Sequence, residues 1–140
     1  MIDPMTSLVM SMHANPGVYA LLLGSGISRS AQIPTGWEIV TDLARRVAVA
    51  EGVDCGDDPC EWYEKTYSKQ PSYSELLEAI GKTQAERSQL LRSYFEPTEE
   101  ELEEGDKKPT AAHRAIAKLV KRGSIRVILT TNFDRLMEQA

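Results

Sequence analysis

Two short stretches hold residue types whose spacing could support chemistry. Near the start, Gly24-Ser25-Gly26-Ile27-Ser28 follows an apolar run. Glycines in such a place let the backbone turn tightly and approach a ligand, and free amides beside a helix N-terminus attract a phosphate. A plain structural turn fits the same residues. The dinucleotide fingerprint needs a third glycine at position 29, where Arg29 stands, and the Gly-Lys-Ser/Thr of a P-loop is absent. Near the end, Thr130-Thr131-Asn132-Phe133-Asp134 closes a second apolar run. Ligands of open α/β sheets sit outside the carboxyl ends of strands, where an amide and a carboxylate two residues apart can both reach them. Capping of a final helix by Asn132 or Asp134 is the competing reading. His13 has no motif around it, and His113 falls inside a helical pattern. Cys55 and Cys60 are spaced C-x4-C with no second pair. That falls short of the four ligands of a zinc site, and a disulfide is not expected in a reducing compartment.

These residues need strands and helices to position them. VYALLLG, Val18 to Gly24, and IRVILTTN, Ile125 to Asn132, are near-continuous apolar runs bounded by breakers, as in strands buried on both faces. Residues 4 to 14 suit a short helix closed by Asn15-Pro16-Gly17. Thr35-x-x-Glu38 is a capping box, and the apolar spacing after it predicts a helix to about Ala50. Residues 53 to 109 contain several helix starts, at Asp58-Pro59, Ser72-x-x-Glu75 and Thr83-x-x-Glu86, and no strand signal. They read as a helical subdomain inserted between the strands. Within them, EPTEEELEEGDKK is mostly charge and is expected to be a solvated loop or a short exposed helix. Pro109-Thr110 opens another helix, which Gly123 is placed to end, and DRLMEQA suits the first turns of a last one. The order of elements predicts an α/β layered fold with a parallel sheet. Two strands are few for such a sheet, so the stretch is expected to be the N-terminal portion of a longer protein.

The composition narrows the classes of function. The chain has 140 residues, enough for one modest domain, with ordinary apolar and charged content. Its net charge of −5 does not indicate a nucleic-acid partner. No run approaches the ~20 apolar residues of a membrane span, and MIDPMTSLVM lacks a basic leader. A cytoplasmic protein without membrane partners is expected.

Taken together, the two motifs resemble the sirtuin family. Its Gly-Ala-Gly-Ile-Ser, Gly-Ile-Pro and Gln-Asn-Ile-Asp patterns are similar to Gly24-Ser25-Gly26-Ile27-Ser28, Gln32-Ile33-Pro34 and Thr131-Asn132-Phe133-Asp134. The helix PTAAHRAIAKLVKRG, with His113, resembles the one sirtuins carry before their second motif. The likeness covers residues 18 to 38 and 109 to 140. Thr35-Gly36-Trp37 stands where sirtuins carry Asp-Phe-Arg, and no Cys-x-x-Cys zinc module is present. Those departures resemble the sirtuin-like domains of bacterial anti-phage proteins, which consume NAD rather than deacylate proteins.

The resemblance implies a Rossmann-like parallel sheet of the sirtuin type, of which residues 1 to 140 form the N-terminal part. It implies NAD as substrate and no metal. Gly24, Ser25, Gly26, Ile27, Ser28, Pro34, Thr131, Asn132, Phe133 and Asp134 would bind it. Asn132 would orient the ribose or the attacking water, and Asp134 the nicotinamide carboxamide. The general-base histidine of the family follows the Asn-x-Asp motif, so it is expected after residue 140. The implied activity is an NAD hydrolase, an effector of anti-phage defence switched on by further domains or by assembly as a homo-oligomer. A lysine deacylase and a non-catalytic NAD or ADP-ribose sensor are the alternatives.

Overall fold

A computed structural model describes residues 2–140. Its helices begin where side-chain oxygens can take up the otherwise unpaired first amides. Asp3 caps α1 (Pro4–Ala14) and Thr35 caps α2 (Gly36–Ala50). Asp58 caps α3 (Pro59–Tyr67), Ser72 caps α4 (Tyr73–Ile80) and Thr83 caps α5 (Gln84–Phe95). The short α6 (Glu99–Glu104) has no buried residue. Thr110 caps α7 (Ala111–Lys121), and a single turn, α8 (Leu136–Gln139), ends the chain. Two strands, β1 (Tyr19–Leu23) and β2 (Ile125–Thr130), complete the elements, with a 3-10 segment, Ser25–Ala31, directly after β1.

The chain divides into two compact units. The first comprises the chain up to Gln32 together with Glu101–Ala140, and the second is Ile33–Glu100. The second is all helix. The apolar stripe of α2, Ile39, Leu43, Ala44 and Val47, packs with Tyr63 of α3 and with Leu76 and Leu77 of α4. Leu90, Leu91, Tyr94 and Phe95 of α5 lie half-buried against that core. A polar tie joins α5 to α2: the Tyr94 hydroxyl donates to Asp42 Oδ2 at 2.5 Å, and Arg46 Nε donates to the same oxygen at 2.8 Å.

In the first unit β1 and β2 pair in parallel, with Ala20 opposite Val127, Leu22 opposite Leu129 and Leu23 opposite Thr130. Helix α7 packs on β2 and α8. Ala20, Leu22, Val127 and Leu129 share a sheet face through their cross-strand pairing, and all four are exposed. The turn before β1 uses Gly17 at φ +76°, where an added Cβ would meet the Arg126 side chain at 2.7 Å. The conformation demands glycine there, while the exposed Arg126 side chain could move aside.

This arrangement corrects the expected Rossmann-like sheet. Among the described residues the structure is mostly helical, and the sheet has two strands. The reason lies in where the apolar stripes go. A doubly covered parallel sheet needs amphipathic helices spent on its faces. Here α2, α3, α4 and α5 bury their stripes on one another instead. The charged run 96–108 also departs from full solvation. Lys107 is buried; its ammonium pairs with Glu101 Oε2 at 3.0 Å and its N–H donates to Ala31 O at 2.7 Å. No helix among the described residues is long and apolar enough to cross a membrane.

Candidate functional site at the paired strand ends

The register sets Leu23 beside Thr130, so the two sequence motifs that follow these residues meet at one end of the sheet. Thr131 N–H donates to Leu23 O at 3.1 Å, extending the ladder by one bond. Asn132 then folds back: its N–H donates to Thr130 Oγ1 at 3.0 Å and its Nδ2 to Gly24 O at 3.2 Å. Neither Gly24 nor Gly26 has a positive φ, and a Cβ on either would meet nothing within 4 Å. So neither backbone conformation nor packing within this chain requires glycine at these positions, and open space lies against the backbone. The first bond of the 3-10 segment is Ile27 N–H to Gly24 O at 3.3 Å. The Ser25 and Gly26 amides precede it and have no acceptor within the segment.

Asn132 Oδ1 is the chemically conspicuous atom here. It is buried and accepts no hydrogen bond. A bare buried acceptor costs about 1–3 kcal/mol, so it calls for a partner, an ordered water or a ligand group. Neither capping candidate is the N-cap of α8, which is Arg135 and has no side-chain cap bond. Asp134 Oδ1 accepts the Leu136 N–H at 3.0 Å in the turn that leads into α8. Asn132 caps nothing and faces Gly24. Phe133 is exposed, Ser25 and Ile27 are half-buried, and Pro34 belongs to the other unit, just before α2.

Ser28 is fully buried on the inner side of the 3-10 segment, 3.5 Å from His113 Nε2 of α7. His113 is itself buried and is the N3 partner of the α7 capping box. Thr110 N–H donates to His113 Nδ1 at 3.2 Å, and Thr110 Oγ1 lies 2.7 Å from the same nitrogen. A backbone N–H can only donate, so Nδ1 carries the lone pair and the ring proton is on Nε2. Nε2–H therefore donates to Ser28 Oγ. This polarity excludes a Ser28–His113 nucleophile pair, because His113 has no free lone pair facing the hydroxyl. Burial holds the His113 pKa below its ordinary 6.5, against an opposing pull from Asp134, and Arg114 adds to the lowering.

The other candidates belong to other elements. His13 is exposed near the end of α1. Cys60 is buried with its Sγ 3.6 Å from Thr41 Oγ1, and Cys55 is half-buried in the preceding loop. No group of three His, Cys, Asp or Glu able to hold a metal occurs among the described residues. A groove of about 660 Å³ runs along α2, α3 and α4 of the second unit. Of its polar groups, Tyr67 pairs with Glu51 and Lys69 with Glu75, while Arg46 pairs with Asp42 outside the lining.

Sequence reasoning missed the Ser28–His113 contact. Its one trace is the Thr110-x-x-His113 spacing, but capping boxes are sought with Glu or Gln at the fourth place. The chain matches no protein-family model, no curated protein and no solved structure.

Proposed function

We propose that the paired strand ends bind NAD and that the protein hydrolyses its nicotinamide–ribose bond, releasing nicotinamide and ADP-ribose. The single observation that carries the reading is the bare, buried Asn132 Oδ1 beside Gly24. An acceptor held in that state suits a ligand donor, and a ribose hydroxyl or a carboxamide N–H is one. The open space against Gly24 and Gly26 suits close approach of a pyrophosphate to backbone amides. The likeness of both motifs to those of sirtuins selects NAD among phosphate ligands, and Thr35-Gly36-Trp37 and Thr131-Asn132-Phe133-Asp134 select hydrolysis within a defence effector.

In this reading Asn132 orients the ribose or the attacking water. Asp134 and the Phe133 backbone hold the nicotinamide carboxamide. Cleavage builds positive charge on the sugar, so fixed dipoles and oriented water supply the rate. Water adds its oxygen to the anomeric carbon, nicotinamide leaves with the bonding pair, and the proton of water passes to solvent. His113 takes no part as base, since both of its ring nitrogens are engaged.

Incubation of the full chain with NAD tests the proposal by release of nicotinamide, with Asn132→Ala as the diagnostic variant. Release that Asn132→Ala abolishes supports it. Release that requires an acyl-lysine peptide assigns the deacylase instead, and tight NAD binding without turnover assigns the sensor. Undiminished release by Asn132→Ala overturns the site.

A further inference from the structure

The glycine turn is fastened from below by a contact between residues 85 apart in sequence, Ser28 on the 3-10 segment and His113 on α7. Both side chains are fully buried. Ser28 Oγ has His113 Nε2 as its hydrogen-bond partner at 3.5 Å. His113 Nδ1 is meanwhile occupied by the Thr110 N–H at the start of α7. The ring thus bridges a helix N-terminus and the 3-10 segment that follows β1.

We infer that His113 is a positioning residue for the ligand-binding turn, and that it holds Ser28 and Thr110 together only as the neutral imidazole protonated on Nε2. A second proton would have to enter at Nδ1. It would then meet the Thr110 N–H, donor against donor, and break the reciprocal half of the α7 capping box. It would also place a charge in a site from which water is excluded. Acid therefore releases the turn, and ligand binding with it. The groups acting on the ring are Asp134, from the connection between β2 and α8, which favours the added proton, and Arg114 on α7, which opposes it. Desolvation outweighs Asp134, so the release falls below the ordinary histidine range near 6.5. The ligand consequence rests on the reading of the turn as the NAD site; the tautomer and the fastening of the turn do not.

The test separates those two layers. Nitrogen-15 imidazole spectra of the full chain should show His113 with Nε2 protonated at neutral pH. Amide exchange in Ser25–Ala31, corrected for its intrinsic pH dependence, should accelerate as the ring titrates. The informative variant is His113→Gln, whose carbonyl can accept the Thr110 N–H and whose amide can donate to Ser28, but which cannot be protonated. It should keep the turn protected at all pH values, while His113→Leu should leave it unprotected throughout. NAD affinity measured by calorimetry should fall about tenfold per pH unit below the His113 pKa in the natural chain and stay flat in His113→Gln. An Nδ1-protonated ring at neutral pH, or equal protection of the turn in all three proteins, overturns the inference. Absence of NAD binding at every pH, with the spectra and exchange as expected, overturns the NAD reading and leaves the latch standing.

Discussion

Replacing Asn132 with alanine removes two polar atoms whose effects on stability have opposite signs. The Nδ2 bond to Gly24 O contributes about 0.5–1.5 kcal/mol. Its loss is cushioned, because Gly24 O also accepts from Ile27 N–H at 3.3 Å and is not left bare. The unpaired Oδ1 is a penalty of about 1–3 kcal/mol that disappears with the side chain. The net expectation runs from a variant about 0.5 kcal/mol less stable to one about 2.5 kcal/mol more stable, centred near 1 kcal/mol more stable. At roughly 4 °C per kcal/mol for a chain of this size, the centre of that range raises Tm by about 4 °C. NAD affinity should fall about tenfold or more, the equivalent of one lost hydrogen bond of ~1.4 kcal/mol. Thermal unfolding without NAD and calorimetric titration with it measure the two effects on the same protein. A variant destabilised by more than about 1 kcal/mol, with NAD affinity unchanged, would show that Oδ1 serves the fold, and the argument from the bare acceptor would fail.

Three further outcomes follow from the packing. Leu76→Ala should cost about 2–5 kcal/mol in denaturant unfolding, because Leu76 is fully buried in the helical core; a loss under about 1 kcal/mol would mean that core is loose. Burial tends to raise the Asp42 pKa, but hydrogen bonds from Tyr94 and Arg46 together with the charge of Arg46 win, and the carboxyl ends below its ordinary 3.8. Its contribution is therefore full above that value and lost as pH falls through the lowered one. Tyr94→Phe should cost about 1 kcal/mol at neutral pH, a partly exposed pair being worth less than a buried one, and should move acid unfolding to higher pH. An acid limb that does not move would remove Asp42 from the account. Leu22→Gln should change stability by no more than about 0.5 kcal/mol, since Leu22 is 74% exposed on the open sheet face; a larger loss would reveal a covered face.

Local structure was legible in the sequence because it is set by local interactions. The caps at Thr35, Asp58, Ser72, Thr83 and Thr110 start helices where the spacing places them. The two apolar runs form the strands, within two residues of the expected ends. Sheet size was not legible, because an amphipathic stripe does not name its partner. The stripe of α2 suits a sheet face and a helix face equally, and in the fold it meets α3 and α4. Lys107 shows the same limit: a lysine in a run of charge reads as solvated until Glu101 and Ala31 enclose it.

Within the candidate site the division is sharper. Sequence alone determined that a Gly-Ser-Gly follows one strand and that an Asn-x-Asp follows another, because the apolar runs and the breakers that bound them mark where the strands end. It left turn against cradle, and cap against ligand group, undecided. Tertiary structure adds the parallel register, which brings the two strand ends together, turns Asn132 Nδ2 onto Gly24 O and leaves Oδ1 bare. It also joined Ser28 to His113. Each of those outcomes depends on atoms about a hundred residues apart, or on a lone pair that only its surroundings can satisfy, and neither is written in the order of the residues.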